Sequence, residues 1–399
     1  MNVLLFLAGL AAQAPATPPV TSGWQDGFVV QSADGDNRLV LGATVQVDGR
    51  FSVDDPRPII NTFTIRKARP TVSGRVAKYF EFRVMPDFGN GTATLFDAYV
   101  DLRFSRAFRI RSGKDKTPVG YELLQGDPYL LFAERPLASN LVPNRDIGFQ
   151  AIGDLSPRLS YAGGIFNGVP DGASSPGDVD ANQSKDFAGR VTWQPFQATG
   201  GRPGAASGLG FHLGGSIGSQ AGALPVFRTS VGQPYFSYAA GQVADGERRR
   251  VAPAVFYYCK SFGAFGEYMR SAQEIAGSSA AESVTNDAWE VTASWILTGE
   301  AASDRGVRPG RAFDPQAGSW GALQVVARYS SLHVDGIAFS HRLADPTASG
   351  GAQSWAVGAN WYPVTPIKYY VMYERTSFAE GNAVRPAEHV VVFRMQLAF

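Results

Sequence analysis

Apolar and polar side chains alternate one for one along much of this chain. Leu39, Leu41, Ala43, Val45, Val47 and Phe51 interleave with Gly42, Thr44, Gln46, Asp48 and Arg50. Phe80, Phe82 and Val84 interleave with Glu81 and Arg83, and Phe96, Ala98, Val100, Leu102 and Phe104 with Asp97, Tyr99, Asp101 and Arg103. Phe108 and Ile110 alternate with Arg109 and Arg111, and Val191 and Trp193 with Arg190, Thr192 and Gln194. Period-two alternation places one set on each face of a β-strand, so these segments predict strands with one apolar and one charged face. The last eleven residues follow the same rule: Val391, Phe393, Met395, Leu397 and Phe399 share a face, with Arg394 and Gln396 opposite. No amphipathic helix of ordinary length interrupts the pattern.

A soluble β-sandwich would point the apolar face inward and the charged face to bulk water. A membrane barrel reverses this, with lipid outside and a wet lumen inside. Strand length favours the barrel. Residues 38–53 alternate throughout, far beyond the usual strand of about 5–6 residues. Connections are of two kinds: tight ones such as Ser105-Arg106, and long Gly/Ser/Ala-rich ones over 198–207, 273–286, 299–318 and 344–353. Short turns at one end and long loops at the other are the habit of outer-membrane barrels. The segment 116–146 is different. It carries Leu123, Leu124, Tyr129, Leu130, Leu131 and Phe132, too apolar for an external loop, and is expected to tuck into the barrel.

Composition narrows the reading. The 399 residues carry a net charge of +1, which offers no bulk attraction to nucleic acid. One cysteine, Cys259, excludes an internal disulfide. Residues 3–12 form a short apolar core followed by small residues, so 1–16 are expected to be a secretion signal and 17–399 a single barrel domain. The four histidines have no metal-ligand spacing, and 178–182 (Asp-Val-Asp-Ala-Asn) opens like a calcium loop but lacks its glycine and closing glutamate. No metal or cofactor is expected. Ser340-His341 is the adjacent pair an outer-membrane lipase-like barrel enzyme would need, and it sits in a loop-like stretch.

A strand that closes on Phe399 resembles the final strand of bacterial outer-membrane barrels. From residue 60 onward the chain resembles the phosphate-selective porin O and P family. The resemblance is carried by residues 63–69 (Phe-Thr-Ile-Arg-Lys-Ala-Arg), 96–103 (Phe-Asp-Ala-Tyr-Val-Asp-Leu-Arg), 113–122, 132–135 (Phe-Ala-Glu-Arg) and 141–148 (Leu-Val-Pro-Asn-Arg-Asp-Ile-Gly). Further on come 163–168, 296–300, 321–329, 360–362 and the final Phe399. The resemblance implies an all-β transmembrane antiparallel barrel of about sixteen strands with an inward-folded constriction loop. It also implies a homotrimer in a Gram-negative outer membrane, among lipid and lipopolysaccharide, passing small anions such as phosphate by passive diffusion rather than catalysing a reaction.

A pore selects by what lines its narrowest section. Residues 61–120 hold twelve Lys/Arg and five acids, a local excess of +7. Guanidinium groups bind phosphate oxygens in a planar, two-pronged way and stay charged at every relevant pH. The expected anion pathway is therefore Arg66, Arg69, Arg83, Arg103, Arg109, Arg111 and Lys114, with Arg248 and Arg250 as a second group. Asp97 and Asp101 are wall acids expected to pair with some of these cations. The constriction loop is assigned Glu122, Asp127, Glu134, Arg135 and Arg145. Its core, 119–131, has two acids and no Lys or Arg, a departure from the phosphate-selective pattern that makes a weakly selective general porin the alternative.

Overall fold

Sixteen antiparallel strands close into one barrel. In chain order they are β1 (Arg38–Ser52), β2 (Thr62–Val76), β3 (Phe80–Asp87), β4 (Thr94–Arg103), β5 (Arg109–Lys116), β6 (Arg145–Ser156), β7 (Leu159–Phe166) and β8 (Asp186–Trp193). They continue as β9 (Leu209–Gly222), β10 (Val243–Cys259), β11 (Phe262–Ala276), β12 (Glu282–Ile296), β13 (Ala322–His333), β14 (Gly351–Val364), β15 (Ile367–Ala379) and β16 (Glu388–Ala398). The computed structural model describes residues 20–25, 27–53, 60–175, 180, 182–198, 204–276 and 282–399. The expected secretion signal and Asp178 lie outside the described residues.

Alternation builds the wall inside out. On β13, Leu323, Val325 and Tyr329 face outward and exposed, while Gln324, Arg328 and Ser330 face inward and are buried. On β16, Phe393 and Met395 face outward, and Arg394 and Gln396 inward. Phe149 and Phe187 are left 67% and 58% exposed on the outer surface, a cost that only lipid removes. Aromatic pairs mark both rims. Phe104–Phe108, Trp193–Phe211 and Trp361–Tyr369 lie beside the tight turns, and Phe51–Phe63, Trp289–Tyr329 and Trp355–Tyr373 near the opposite end. Such girdles sit at the two interfaces of a membrane.

The barrel closes where β16 pairs with β1, from Val390↔Ser52 to Ala398↔Thr44. Phe399 extends the seam through reciprocal backbone bonds with Ala43. Inside the seam, Arg394 faces Asp48 and grips it with two bonds of 2.6 and 2.7 Å. Beyond Phe399, β1 takes a new neighbour: a hairpin of Val20–Trp24 and Phe28–Ser32, whose second strand pairs with Arg38–Leu41.

Two expectations about connections need correction. The strands β11 and β12 take up 273–276 and 282–286, and β14 begins at Gly351, because cross-strand pairing continues beyond the clear apolar alternation. The two ends are also less asymmetric than expected. The tight turns at 77–79, 157–158, 260–261 and 365–366 share their end with two long connections, 194–208 and 297–321. The longer one is held to the barrel by Val307, buried with Ile296, Ala322 and Tyr362. It can fold beneath the mouth because it has its own apolar anchor.

Candidate functional site

The segment 117–144 leaves β5 and runs through the lumen. At its start, Val119 presses on β9, where an added Cβ at Gly214 would stand 1.9 Å from the Val119 carbonyl oxygen. Only glycine permits that approach. His212 Nε2 lies 2.8 Å from the same oxygen and Nδ1 lies 3.0 Å from the Thr192 hydroxyl. A carbonyl only accepts, so Nε2 donates and Nδ1 accepts from Thr192. The segment then crosses to the far wall. Leu130 O accepts from Lys368 Nζ at 2.7 Å, Leu131 O from Asn360 at 2.9 Å and Glu134 O from Arg328 at 2.9 Å. Phe132 and Ala133 pack among Val326, Ala356, Met372, Val390 and Val392.

The acids of this segment are anchors. Asp127 meets Lys67 at 2.9 Å, Arg135 at 3.0 Å and Arg69. Burial pushes its carboxyl up, but Lys67, Arg69 and Arg135 outweigh burial and hold it well below the usual carboxylate range. Glu134 receives Arg66 at 2.7 Å and Arg394 at 2.9 Å, together with Arg50. Burial again pushes upward, and Arg66 and Arg394 overcome it, leaving Glu134 well below its ordinary value. Arg135 also donates to the carbonyls of Glu122 and Gln125. The Glu122 backbone N–H donates to Glu267 of β11 at 3.1 Å.

Two open spaces that share Leu124, Gly126 and Arg190 in their linings lie largely against the β2–β9 half of the wall. The first, about 320 Å³, lies between the inward segment and β2–β8. Its charged lining is Arg69, Arg83, Arg109, Arg111, Lys116, Arg145 and Arg190 against Asp97, Asp115 and Asp127, seven cations to three acids. The second, about 750 Å³, opens toward the tight-turn end. Arg106, Arg158, Arg190 and Arg305 line it against Asp154 and Asp304, with Tyr121, Tyr129, Phe256 and Tyr258 on another side. Asp304 and Arg305 come from the long connection 297–321, which reaches the inward segment where Gly306 meets Tyr129.

Within the first space, β4 buttresses the guanidiniums. Arg69 and Arg145 both lie over the Phe96 ring, at 3.7 and 3.6 Å, and Arg111 over Tyr99 at 3.6 Å. These stacks fix planar groups while leaving their edges to bond. Arg111 is held bidentately by Asp101 at 2.7 and 2.8 Å, and Arg145 by Asp97 at 2.7 Å. Arg83 and Arg109 are held loosely, 3.5 Å from Asp97 and 3.7 Å from Asp101, and each side chain keeps about a third of its surface open (37% and 35%). Arg190 lines both spaces, and its hydrogen bond is to the neutral Thr192 hydroxyl at 3.2 Å.

Of the nine expected pathway cations, Arg69, Arg83, Arg109 and Arg111 line the first space. The others are placed elsewhere. Arg66 serves Glu134, Arg103 pairs with Glu81 at 2.9 Å near a turn, and Lys114 donates to Ser175 O at 2.7 Å. Arg248 and Arg250 point inward but are buried against Asp186 and Asp171. Arg145 is the first residue of β6, on the wall rather than the loop. Arg190 was visible in sequence as the inward partner of Val191 and Trp193. Arg158 and Arg305 carried no such signal, because turns have no periodicity.

A model of the family described as phosphate-selective porin O and P matches residues 41–399. No curated protein matches the chain. Among solved structures, the outer membrane channel DcaP of Acinetobacter baumannii is similar at 12% identity, over 92% of this chain and 99% of that one, with a TM-score of 0.58. An anion-selective porin from Comamonas acidovorans is similar at 13% identity, over 91% and 100%, with a TM-score of 0.56. The trimer form of OmpT, an outer membrane protein of Vibrio cholerae, is similar at 12% identity, over 91% and 99%, with a TM-score of 0.55. At such identities the likeness is one of fold. The family match spans nearly the whole barrel and joins an inside-out wall, two aromatic rims and a wet lumen: the chain belongs to the phosphate-selective porin O and P family and is a porin of the Gram-negative outer membrane.

Proposed function

We propose that this porin passes small anions along the β2–β9 side of its lumen, with phosphate and similar oxyanions as the solutes favoured. The observation that carries the reading is the charge of the open space. Seven cations face three acids in its narrower part, although the whole chain carries only +1. In a confined space that imbalance raises the local anion concentration. Arg83 and Arg109 are loosely paired and Arg190 bonds a neutral hydroxyl, so each keeps hydrogen-bonding capacity for a passing anion. Several weak sites allow release, which one tight site would prevent. Asp127 and Glu134 do not oppose this, because each is already surrounded by wall cations.

The inward segment 117–144 serves as the constriction, and a homotrimer like that of the OmpT structure is the assembly proposed, seated among lipid and lipopolysaccharide. The lipase-like alternative finds no support in geometry: Ser340 donates to Gly336 O, while His341 contacts Glu282 at 2.8 Å. The test is the zero-current potential of the purified protein in a planar bilayer under a potassium chloride gradient, then with phosphate added. An anion sign, weakened in Arg190→Gln and accompanied by phosphate block of chloride current, supports the pathway. A near-zero or cation sign leaves a weakly selective general porin.

A further inference from the structure

Three carboxyls converge behind the inward segment, away from the open spaces. Glu267 on β11 and Glu290 on β12 are directly opposite in the strand register, and the backbone N–H of Glu122, in the inward segment, donates to Glu267. All three are at most 3% exposed. Glu267 is fully engaged, its two oxygens accepting the Tyr121 and Glu122 backbone N–H groups at 2.5 and 3.1 Å. It caps the helical turn Tyr121–Leu124. The other two are not satisfied. Glu290 Oε2 accepts from Thr292 at 3.1 Å, but Glu290 Oε1 and Glu122 Oε2 have no donor.

Both bare oxygens belong to this one buried corner, where the Glu122 N–H binds Glu267 and Glu267 lies opposite Glu290. Two carboxylates offer only acceptors, and like charges opposed in a dry site repel. One proton held between them supplies the missing donor and removes one charge. The neighbouring cations are committed elsewhere. Arg328 on β13 binds Glu134 O and Glu374, Arg135 binds the inward segment's carbonyls and Asp127, and Lys116 at the end of β5 binds Gln125 O. The remaining titratable neighbours are Glu267 and the Tyr258 hydroxyl from β10. Among the described residues, no group of acids, histidines and cysteines has the geometry to hold a metal ion instead.

We propose that Glu122 and Glu290 share one proton, and that this acid pair latches the inward segment to β11 and β12 so that withdrawing the proton widens the bore. The two are positioning residues for permeation: they touch no solute but hold the element that narrows the path. Ionising both leaves three negative charges in one buried corner, and the cheapest relief is for the loop residue, Glu122, to swing away. The sign follows: the latch holds while the proton is bound and is released as pH rises.

The test is single-channel conductance of the purified protein in a planar bilayer, stepped from neutral to alkaline pH at fixed salt. Wild type is expected to show conductance and current noise rising with pH. Glu290→Gln and Glu122→Gln each install a permanent N–H donor between the two side chains, so each is expected to lose the pH dependence and stay at the neutral conductance. A wild type with no pH dependence overturns the proposal, as does a dependence that survives in both variants. Should the variants fail to assemble, infrared spectroscopy of wild type decides. A protonated-carboxyl carbonyl band at neutral pH that disappears in step with the conductance rise supports the latch, and a spectrum without such a band overturns it. The zero-current potential is a separate readout, so anion preference and the latch can fail independently.

Discussion

The two halves of the lumen wall are both basic, yet only one can act on a solute. On β10–β16, Arg250, Arg328 and Arg394 have side chains 1% exposed, each closed in by carboxylates or by carbonyls of the inward loops. On β2–β8, Arg83 and Arg109 are loosely paired and a third open, and Arg190 bonds a hydroxyl. The difference lies in what covers the wall. The inward segment covers β13–β16 and occupies Arg328 and Arg394, and Asp171 with Asp186 occupies Arg250, whereas Arg83, Arg109 and Arg190 line open space. A count of arginines therefore says little about selectivity until each has been assigned a partner.

The strongest way to break this comparison is to exchange the two sides. Arg394→Ala removes the bidentate partner of Asp48, which is fully buried at the barrel seam and keeps only Arg50, and one of the three arginines on Glu134. Removing one member of such a buried pair costs about 3–5 kcal/mol. Heat-modifiable gel migration should show the barrel unfolding at clearly lower temperature. Arg109→Gln, whose ion pair is long and partly solvated, should cost at most about 1 kcal/mol. Equal losses would abolish the distinction.

Next in size is the electrical effect. Replacing Arg83, Arg109 and Arg190 together by Gln should bring the zero-current potential toward zero with little change in thermal stability. An unchanged potential would remove these residues from the path. Gly214→Ala should be smaller and mechanical: the new methyl collides with Val119 O, displaces the start of the inward segment and alters conductance without altering the sign of selectivity. Salt should sharpen the picture further. Screening shortens from about 10 Å at 0.1 M to about 3 Å at 1 M, so anion preference should decline over that range.

The smallest expected change is toward acid. Asp127 and Glu134 are held well below their ordinary values by their cations, so the anchorage they give is present above the usual carboxylate range and is lost only as pH falls through the depressed values. Conductance should stay flat through mild acid. A step at the ordinary carboxylate range would show that these ion pairs are weaker than their geometry.

The sequence by itself determined the inside-out wall. Alternation is local, and a period of two fixes which side chains share a face before any strand meets another. It therefore placed Arg83, Arg109, Arg111, Asp97 and Asp101 on the inner face, and the apolar run Leu130–Phe132 marked the segment that must hide from water. Tertiary structure alone decided which inward charges face open space. Arg66 and Arg83 look alike on their strands, but one meets Glu134 some 68 residues away in sequence and the other meets solvent. Arg248 and Arg250 are inward as expected, but a neighbouring loop carries Asp171 to them. The meeting of Glu122 with Glu267 joins residues 145 positions apart, and no periodicity encodes it. Parity along one strand is a short-range property, whereas the partner of a charge depends on where a loop lands after the barrel has closed.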